Sequence, residues 1–246
     1  MARDQTAPRR RARIVAASAV ALAIGGTALA EVPVSAASKP RGHDVSSHQK
    51  NVNWRKAKNK GARFVYVKAT EATDYRNPYF TQQYNGSRNV GLIRGAYHFA
   101  VPNKSSGRKQ AAYFLRHGGR WSRDGWTLPP ALDIEHNPYS SRRCSGMSKG
   151  QMIHWIKSFS NEVKRQTGRR PVIYTNAIWW NTCTGGSRAF ASSHPLWLAR
   201  WGASAGALPR GWSYWTFWQH DNGGRFPGDQ NLFNGSMRQL KRFARG

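Results

Sequence analysis

Asp133 and Glu135 stand two residues apart at the end of the apolar run Pro129-Pro130-Ala131-Leu132-Asp133-Ile134-Glu135. On a strand, successive side chains point to opposite faces and rise about 3.3 Å per residue, so these two carboxylates share one face with backbones roughly 6.6 Å apart. Facing acids repel, and one keeps its proton while the other stays ionised. Cleavage of a glycosidic bond needs that division: a proton donor for the leaving oxygen and a second carboxylate near the sugar carbon. The competing reading is a pair of strand acids bridged to arginine. With 39 Lys and Arg against 11 Asp and Glu, arginine partners are plentiful and every acid is worth placing.

Asp44 ends a first strand-like run, Gly42-His43-Asp44-Val45-Ser46, and Glu71 ends a second, Val67-Lys68-Ala69-Thr70-Glu71. Asp229 lies in Pro227-Gly228-Asp229-Gln230-Asn231, where a last short strand would close the sheet. Asp74, Asp124, Glu162 and Asp221 fall in loops or on helix surfaces. Five acids thus gather at the carboxyl ends of strands, the rim on which β/α barrels build active sites. A proton-donating Glu135 needs its pKa raised by burial and by Asp133, while surrounding arginines oppose the shift. Tyr97, Tyr174 and Trp218 sit on strands that aim them at such a cleft, where sugar rings stack on aromatic faces. Their other role is barrel core.

The elements that must position these groups alternate in kind. Strand-like runs fall at 42–46, 63–69, 92–100, 128–135, 171–176, 195–201 and 214–219, several of them apolar throughout. That pattern belongs to parallel strands covered on both faces. Between them, Asn77-Pro78 reads as N-cap and first residue of a helix to about 88, and 107–116 carries Ala111, Phe114 and Leu115 at helical spacing. Ser148 and Gln151 form a capping box ahead of the stripe Met152, Ile156, Phe159 and Val163, with Gly168 closing that helix. The expectation is a single α/β domain built as a parallel sheet or barrel.

The chain opens with a basic cluster, Arg9, Arg10, Arg11 and Arg13, followed by an uncharged apolar run over 14–30 and small residues in Ala28-Leu29-Ala30 and Val34-Ser35-Ala36. This reads as a signal peptide over 1–36 and a domain over 37–246 that is secreted; an uncleaved anchor is the alternative. After processing no membrane span is expected. The removed segment carries five arginines and two acids, so a net charge of about +25 remains of the full chain's +28. Such a charge implies polyanionic partners, anionic cell-wall polymers among them. Nucleic acid is disfavoured as a specific partner, since no helix-turn-helix, zinc-finger or RNP pattern is present. Cys144 and Cys183 are the only cysteines, and in an exported chain they are expected to form one disulfide worth about 3–4 kcal/mol. No metal or other cofactor is indicated, and a monomer is expected.

Several runs together resemble glycoside hydrolase family 25, the secreted Chalaropsis-type lysozymes (N-acetylmuramidases). They are Asp44-Val45-Ser46-Ser47-His48-Gln49, Phe64-Val65-Tyr66-Val67-Lys68-Ala69-Thr70-Glu71, Gly95-Ala96-Tyr97-His98-Phe99 and Leu132-Asp133-Ile134-Glu135. Ile173-Tyr174-Thr175-Asn176, Leu196-Trp197-Leu198-Ala199, Phe217-Trp218-Gln219 and Gly228-Asp229-Gln230-Asn231-Leu232-Phe233-Asn234-Gly235 continue the match in order. The resemblance implies an irregular, TIM-like (β/α) barrel that cuts the β-1,4 bond between N-acetylmuramic acid and N-acetylglucosamine in peptidoglycan. It implies Glu135 as general acid, Asp133 as second essential carboxylate, and Asp44 and Asp229 as further acids of the cleft. Tyr97, Tyr174, Trp218 and Glu71 are the expected substrate contacts. His43, Ala72 and Asp221 depart from the family pattern without removing a carboxylate. A non-catalytic glycan-binding protein on the same barrel would keep the aromatics and lose an acid; here all four acids are present.

Overall fold

The computed structural model describes residues 38–246; the expected signal peptide lies outside them. Eight strands close a barrel: β1 (Arg41–Val45), β2 (Phe64–Glu71), β4 (Ile93–Phe99), β5 (Ala131–Asp133), β6 (Val172–Thr175), β7 (Leu196–Ala199), β8 (Phe217–Asp221) and β9 (Asp229–Phe233). Neighbours from β1 through β8 run parallel, whereas β9 lies antiparallel between β8 and β1 and shuts the ring. A two-residue β3 (Tyr75–Arg76) folds back on the end of β2. The expected α/β barrel is the observed architecture, and the antiparallel closing strand makes it irregular.

The helices α1 (Trp54–Asn59), α2 (Phe80–Asn89), α3 (Gly107–Arg116), α4 (Lys149–Thr167) and α5 (Ala177–Cys183) follow strands, and α6 (Met237–Arg245) ends the chain. α3 begins on the cap of Ser106, and α4 on the expected capping box of Ser148 and Gln151, ending at Gly168 with φ of 76°. α2 starts later than the Asn77-Pro78 pair suggests. The Asn77 carboxamide instead accepts from the Tyr79 N–H at 3.0 Å, forming a turn ahead of the helix. β5 is shorter than the apolar run 128–135, because Pro129 and Pro130 have no N–H for a ladder and the chain leaves the sheet after Asp133.

Two apolar layers follow from the period of two. Inward-facing Phe64, Tyr66, Tyr97, Tyr174, Trp197, Phe217 and Phe233 fill the barrel, and Leu240 and Ala244 of α6 plug the end where the parallel strands begin. Space for these rings requires a neighbour without a side chain: a Cβ on Gly95 would run into the Tyr66 ring and the Leu128 Cβ. Outward-facing residues of β4 to β8 pack against Phe114, Met152, Trp155, Ile156, Phe159 and Trp180 of α3, α4 and α5. Cys144, in a short 3-10 turn, is bonded to Cys183 at the end of α5, as expected from their export context. Among the described residues no helix is long and apolar enough to cross a membrane.

Candidate active site

The carboxyl ends of the strands bring four acids into one cleft of about 240 Å³. Asp44 is the fourth residue of β1, Asp133 the last of β5, and Glu135 sits two residues beyond it where the chain turns away. Because β9 runs antiparallel, its first residue, Asp229, lies at the same rim and directly opposite Asp44 in the ladder. Like charges facing across a ladder are destabilising. The approach also requires Gly228 at φ of 77°, since a Cβ there would strike the Asp44 carbonyl oxygen.

Asp44 is buried and held by a chain of oriented amides. Its Oδ2 accepts from Gln219 Nε2 at 3.0 Å and Asn231 Nδ2 at 2.6 Å. Gln219 Oε1 in turn accepts from the Tyr174 hydroxyl at 2.9 Å and Trp201 Nε1 at 3.1 Å, while Trp197 Nε1 donates to Asn231 Oδ1 at 2.7 Å. Each amide oxygen is engaged by a donor, so each NH₂ is left to point at Asp44. Burial, then the charge of Asp229, pushes the Asp44 carboxyl up to about 8 against the pull of those donors. Asp133 is 7% exposed, and its Oδ1 has no hydrogen-bond partner among the described residues. Burial and the charge of Glu135 raise its pKa well above the usual carboxylate range. Glu135 is raised to about 7, by burial first and Asp229 second. Burial also raises Asp229.

The counter-charge at the cleft is a lysine rather than the arginines expected from composition. Lys68 lines the cleft, and its charge lowers the pKa of both Asp133 and Glu135. Its Nζ lies 2.6 Å from Glu71 Oε2 and 4.8 Å from the centre of the Phe99 ring. Glu71, expected to touch substrate, instead faces Lys68 and fixes where that positive charge sits. Tyr97 and Tyr174 line the cleft as expected, each edge-on to Trp197, with ring centroids at 6.0 and 4.8 Å. Trp218 does not join them. It belongs to the outer layer, and its Nε1 donates to the Arg200 carbonyl at 2.7 Å. The alternation of β8 turns Phe217 and Gln219 inward and Trp218 out.

Sequence reasoning missed Lys68, Trp197, Gln219 and Asn231. The signal was present in the period of two: Phe64, Tyr66 and Lys68 share one face of β2, and Asn231 shares one with Phe233 on β9. Among the described residues no group of three His, Cys, Asp or Glu side chains is arranged to hold a metal ion. The arrangement is suited to proton transfer at a neutral, uncharged ligand: a carboxyl near pH 7, an orphaned buried acceptor 2 residues away, and an aromatic floor.

Comparison with known proteins agrees in sequence and in fold. The profile for glycosyl hydrolases family 25 matches residues 43–229. An N,O-diacetylmuramidase of Arthroderma benhamiae is 47% identical over 233 residues, covering 95% of this chain and 97% of its own. Lysozyme M1 of Streptomyces globisporus is 50% identical over 205 residues, 81% of this chain and 69% of its own. The solved structure of a family GH25 lysozyme from Aspergillus fumigatus superposes with a TM-score of 0.83 at 47% identity, over 85% of this chain and all of that one.

Proposed function

The chain belongs to glycosyl hydrolase family 25 and is a glycoside hydrolase, and we propose that it cuts the β-1,4 bond between N-acetylmuramic acid and N-acetylglucosamine in peptidoglycan. Glu135 is the general acid and Asp133 its partner. The observation that carries this reading is the orphaned Oδ1 of Asp133 beside a Glu135 whose pKa lies near 7. A buried acceptor without a donor is costly, and an N–H from the ligand removes that cost. The acetamido N–H of the sugar on the non-leaving side is such a donor.

The proton follows from electrostatics. In the free cleft burial raises both carboxyls, with the charge of Glu135 adding to the shift at Asp133 and that of Asp229 to the shift at Glu135. A donated N–H at Asp133 favours its ionised form. The proton then rests on Glu135, which delivers it to the glycosidic oxygen as the bond to the sugar carbon breaks. Ionised Asp133, holding the acetamido group, steers the acetamido oxygen onto that carbon; a water deprotonated by the Glu135 carboxylate then attacks the same carbon, releasing the acetamido oxygen and returning the proton to Glu135. Asp229 lies in the same cleft, where a carboxylate favours the oxocarbenium-like transition state, while Asp44, raised to about 8, keeps its own proton at the pH at which Glu135 is protonated. The segment 1–36 and the Cys144–Cys183 disulfide support export, which brings the enzyme to a substrate outside the membrane.

The test is replacement of Glu135 by Gln in the secreted protein, followed by digestion of purified peptidoglycan. Muropeptide release should drop by at least about a hundredfold, the scale of a lost general acid, with circular dichroism unchanged. Release above a tenth of the parent rate sinks the assignment of Glu135.

A further inference from the structure

A larger cavity, about 570 Å³, opens at the other end of the barrel, where β7 and β8 begin and β9 ends. Thr216, Phe233, Arg242 and Phe243 form part of its wall, with Arg169 from the turn ahead of β6 and Tyr214 and Trp215 from the loop ahead of β8. Tyr214 is 66% exposed, and the Lys39 ammonium lies 5.8 Å from the centre of the Trp215 ring. The Arg169 guanidinium lies 4.8 Å over Trp121, and its Nη2 donates to the Phe243 carbonyl at 3.4 Å. Its Nη1 is buried and has no partner among the described residues. No carboxylate side chain lines the cavity.

The same end of the molecule carries cations that repel one another. The outer face of α6 exposes Arg238, Lys241, Arg242 and Arg245. Burial first, with Arg123 adding to it, holds Arg169 below its ordinary range, and burial, with Arg63 and Lys241 adding to it, lowers Lys58 in the same way. None of these groups has a carboxylate within 4.0 Å among the described residues, where the ion pairs are Lys68–Glu71, Lys104–Asp74, and Arg108 and Arg165 with Glu162. The acid in the adjoining loop, Asp124, accepts from the Trp126 and Thr127 N–H groups at 2.8 and 2.7 Å. Uncompensated positive charge on one face attracts an external anion. The neighbouring ring faces of Tyr214 and Trp215 narrow its chemistry. Guanidinium forks match phosphate, and aromatic faces take up the C–H faces of sugar rings.

We propose that this end of the barrel is a second glycan site, which binds an anionic wall polymer whose sugar units alternate with phosphodiesters. The proposal rests on the peptidoglycan reading for its setting, since such a polymer must lie beside the substrate. The exposed guanidinium of Arg242 takes a phosphodiester, with Arg169 behind it adding positive charge, and Tyr214 and Trp215 take the adjoining ring. A polymer held here leaves the carboxylate cleft open at the opposite end, so docking and cleavage proceed on separate surfaces of one barrel.

The test uses the secreted protein and a double variant, Tyr214→Ala with Arg242→Glu, both exposed and remote from the cleft. The probe is a short synthetic glycosyl phosphate oligomer, titrated calorimetrically beside a single-stranded DNA oligomer of equal charge. The double variant should bind the glycosyl phosphate about tenfold more weakly, a change of about 1.4 kcal/mol, and should cut a soluble muroglycan with its lactyl carboxyls amidated at the parent rate. Unchanged affinity in the double variant overturns the proposal. DNA bound as tightly as the glycosyl phosphate, and weakened equally by the substitutions, overturns it as well, because the face then reads charge alone. A parent protein that leaves muroglycan uncut would sink the catalytic reading instead, while the titration would still decide the second site.

Discussion

At the scale of single residues, the cleft is governed by where four carboxylates can keep their protons. Glu135 is poised at about 7, so activity that needs its proton should be present below neutrality and lost as pH rises through about 7. Lys68 lowers that value. Lys68→Met should therefore move the alkaline limb of kcat/KM to higher pH, and Glu71→Gln, which releases the Lys68 ammonium, should move it in the opposite direction. Superposable profiles for all three proteins would remove Lys68 and Glu71 from the electrostatics of the cleft. The same shift has a stability side. A carboxyl whose pKa is raised on folding contributes stability below its unfolded value near 4.5 that is lost as pH rises through about 7. Glu135→Gln should leave urea unfolding unchanged near pH 4 and stabilise the protein at pH 8 by up to about 3 kcal/mol. All four acids were legible from residue type and position at strand ends, because so few acids are present to confuse the pattern. The aromatic wall was legible only in part. Tyr97 and Tyr174 were found, but Trp218 was chosen where the inward positions of the adjacent strands are Trp197 and Gln219, an error of one residue in a period of two.

At the scale of elements, two connections hold the site in register. Gly228 lets the antiparallel β9 approach β1, so Gly228→Ala should displace Asp229, cost about 2–4 kcal/mol and lower kcat more than it raises KM. Unchanged kinetics would show that the cleft tolerates a shift of β9. The Cys144–Cys183 bond ties the turn that follows Glu135 to the end of α5. Denaturation with and without reductant should differ by about 3–4 kcal/mol, and coincident curves would mean the turn is held by its other contacts. Long strands and the amphipathic α3 and α4 were readable from sequence because their apolar period persists over several turns. α1 and α5 are too short to show one. α5 is also masked by its own cap: Asn176 continues the run of β6 in sequence, yet its side chain accepts from the Trp179 N–H and starts a helix. α6 reads as a basic tail, and only the spacing of Leu240 and Ala244 marks the face that plugs the barrel.

At the scale of the whole molecule, charge is divided between two ends. The acids of the cleft face the rim at the carboxyl ends of the strands, and the exposed cations of α6 face the other end. Lysis of intact walls should therefore fall steeply with salt, as the Debye length shrinks from about 10 Å at 0.1 M to about 3 Å at 1 M. Cleavage of a soluble muroglycan with its lactyl carboxyls amidated should change little over the same series, since the contacts proposed for it in the cleft are hydrogen bonds and stacking. Equal slopes would place the positive charge in the chemistry itself. The total charge was evident from composition, whereas its segregation depends on the barrel's topology and on the antiparallel turn of β9, which no local pattern reports. The most direct test of the central claim is digestion of purified peptidoglycan by the secreted protein, with mass analysis of the new reducing ends after borohydride reduction. The proposed reaction predicts that the reduced sugar is N-acetylmuramitol, and that Glu135→Gln abolishes its appearance. Reduced N-acetylglucosamine at the new ends, or release that persists in the Glu135→Gln protein, would contradict the account.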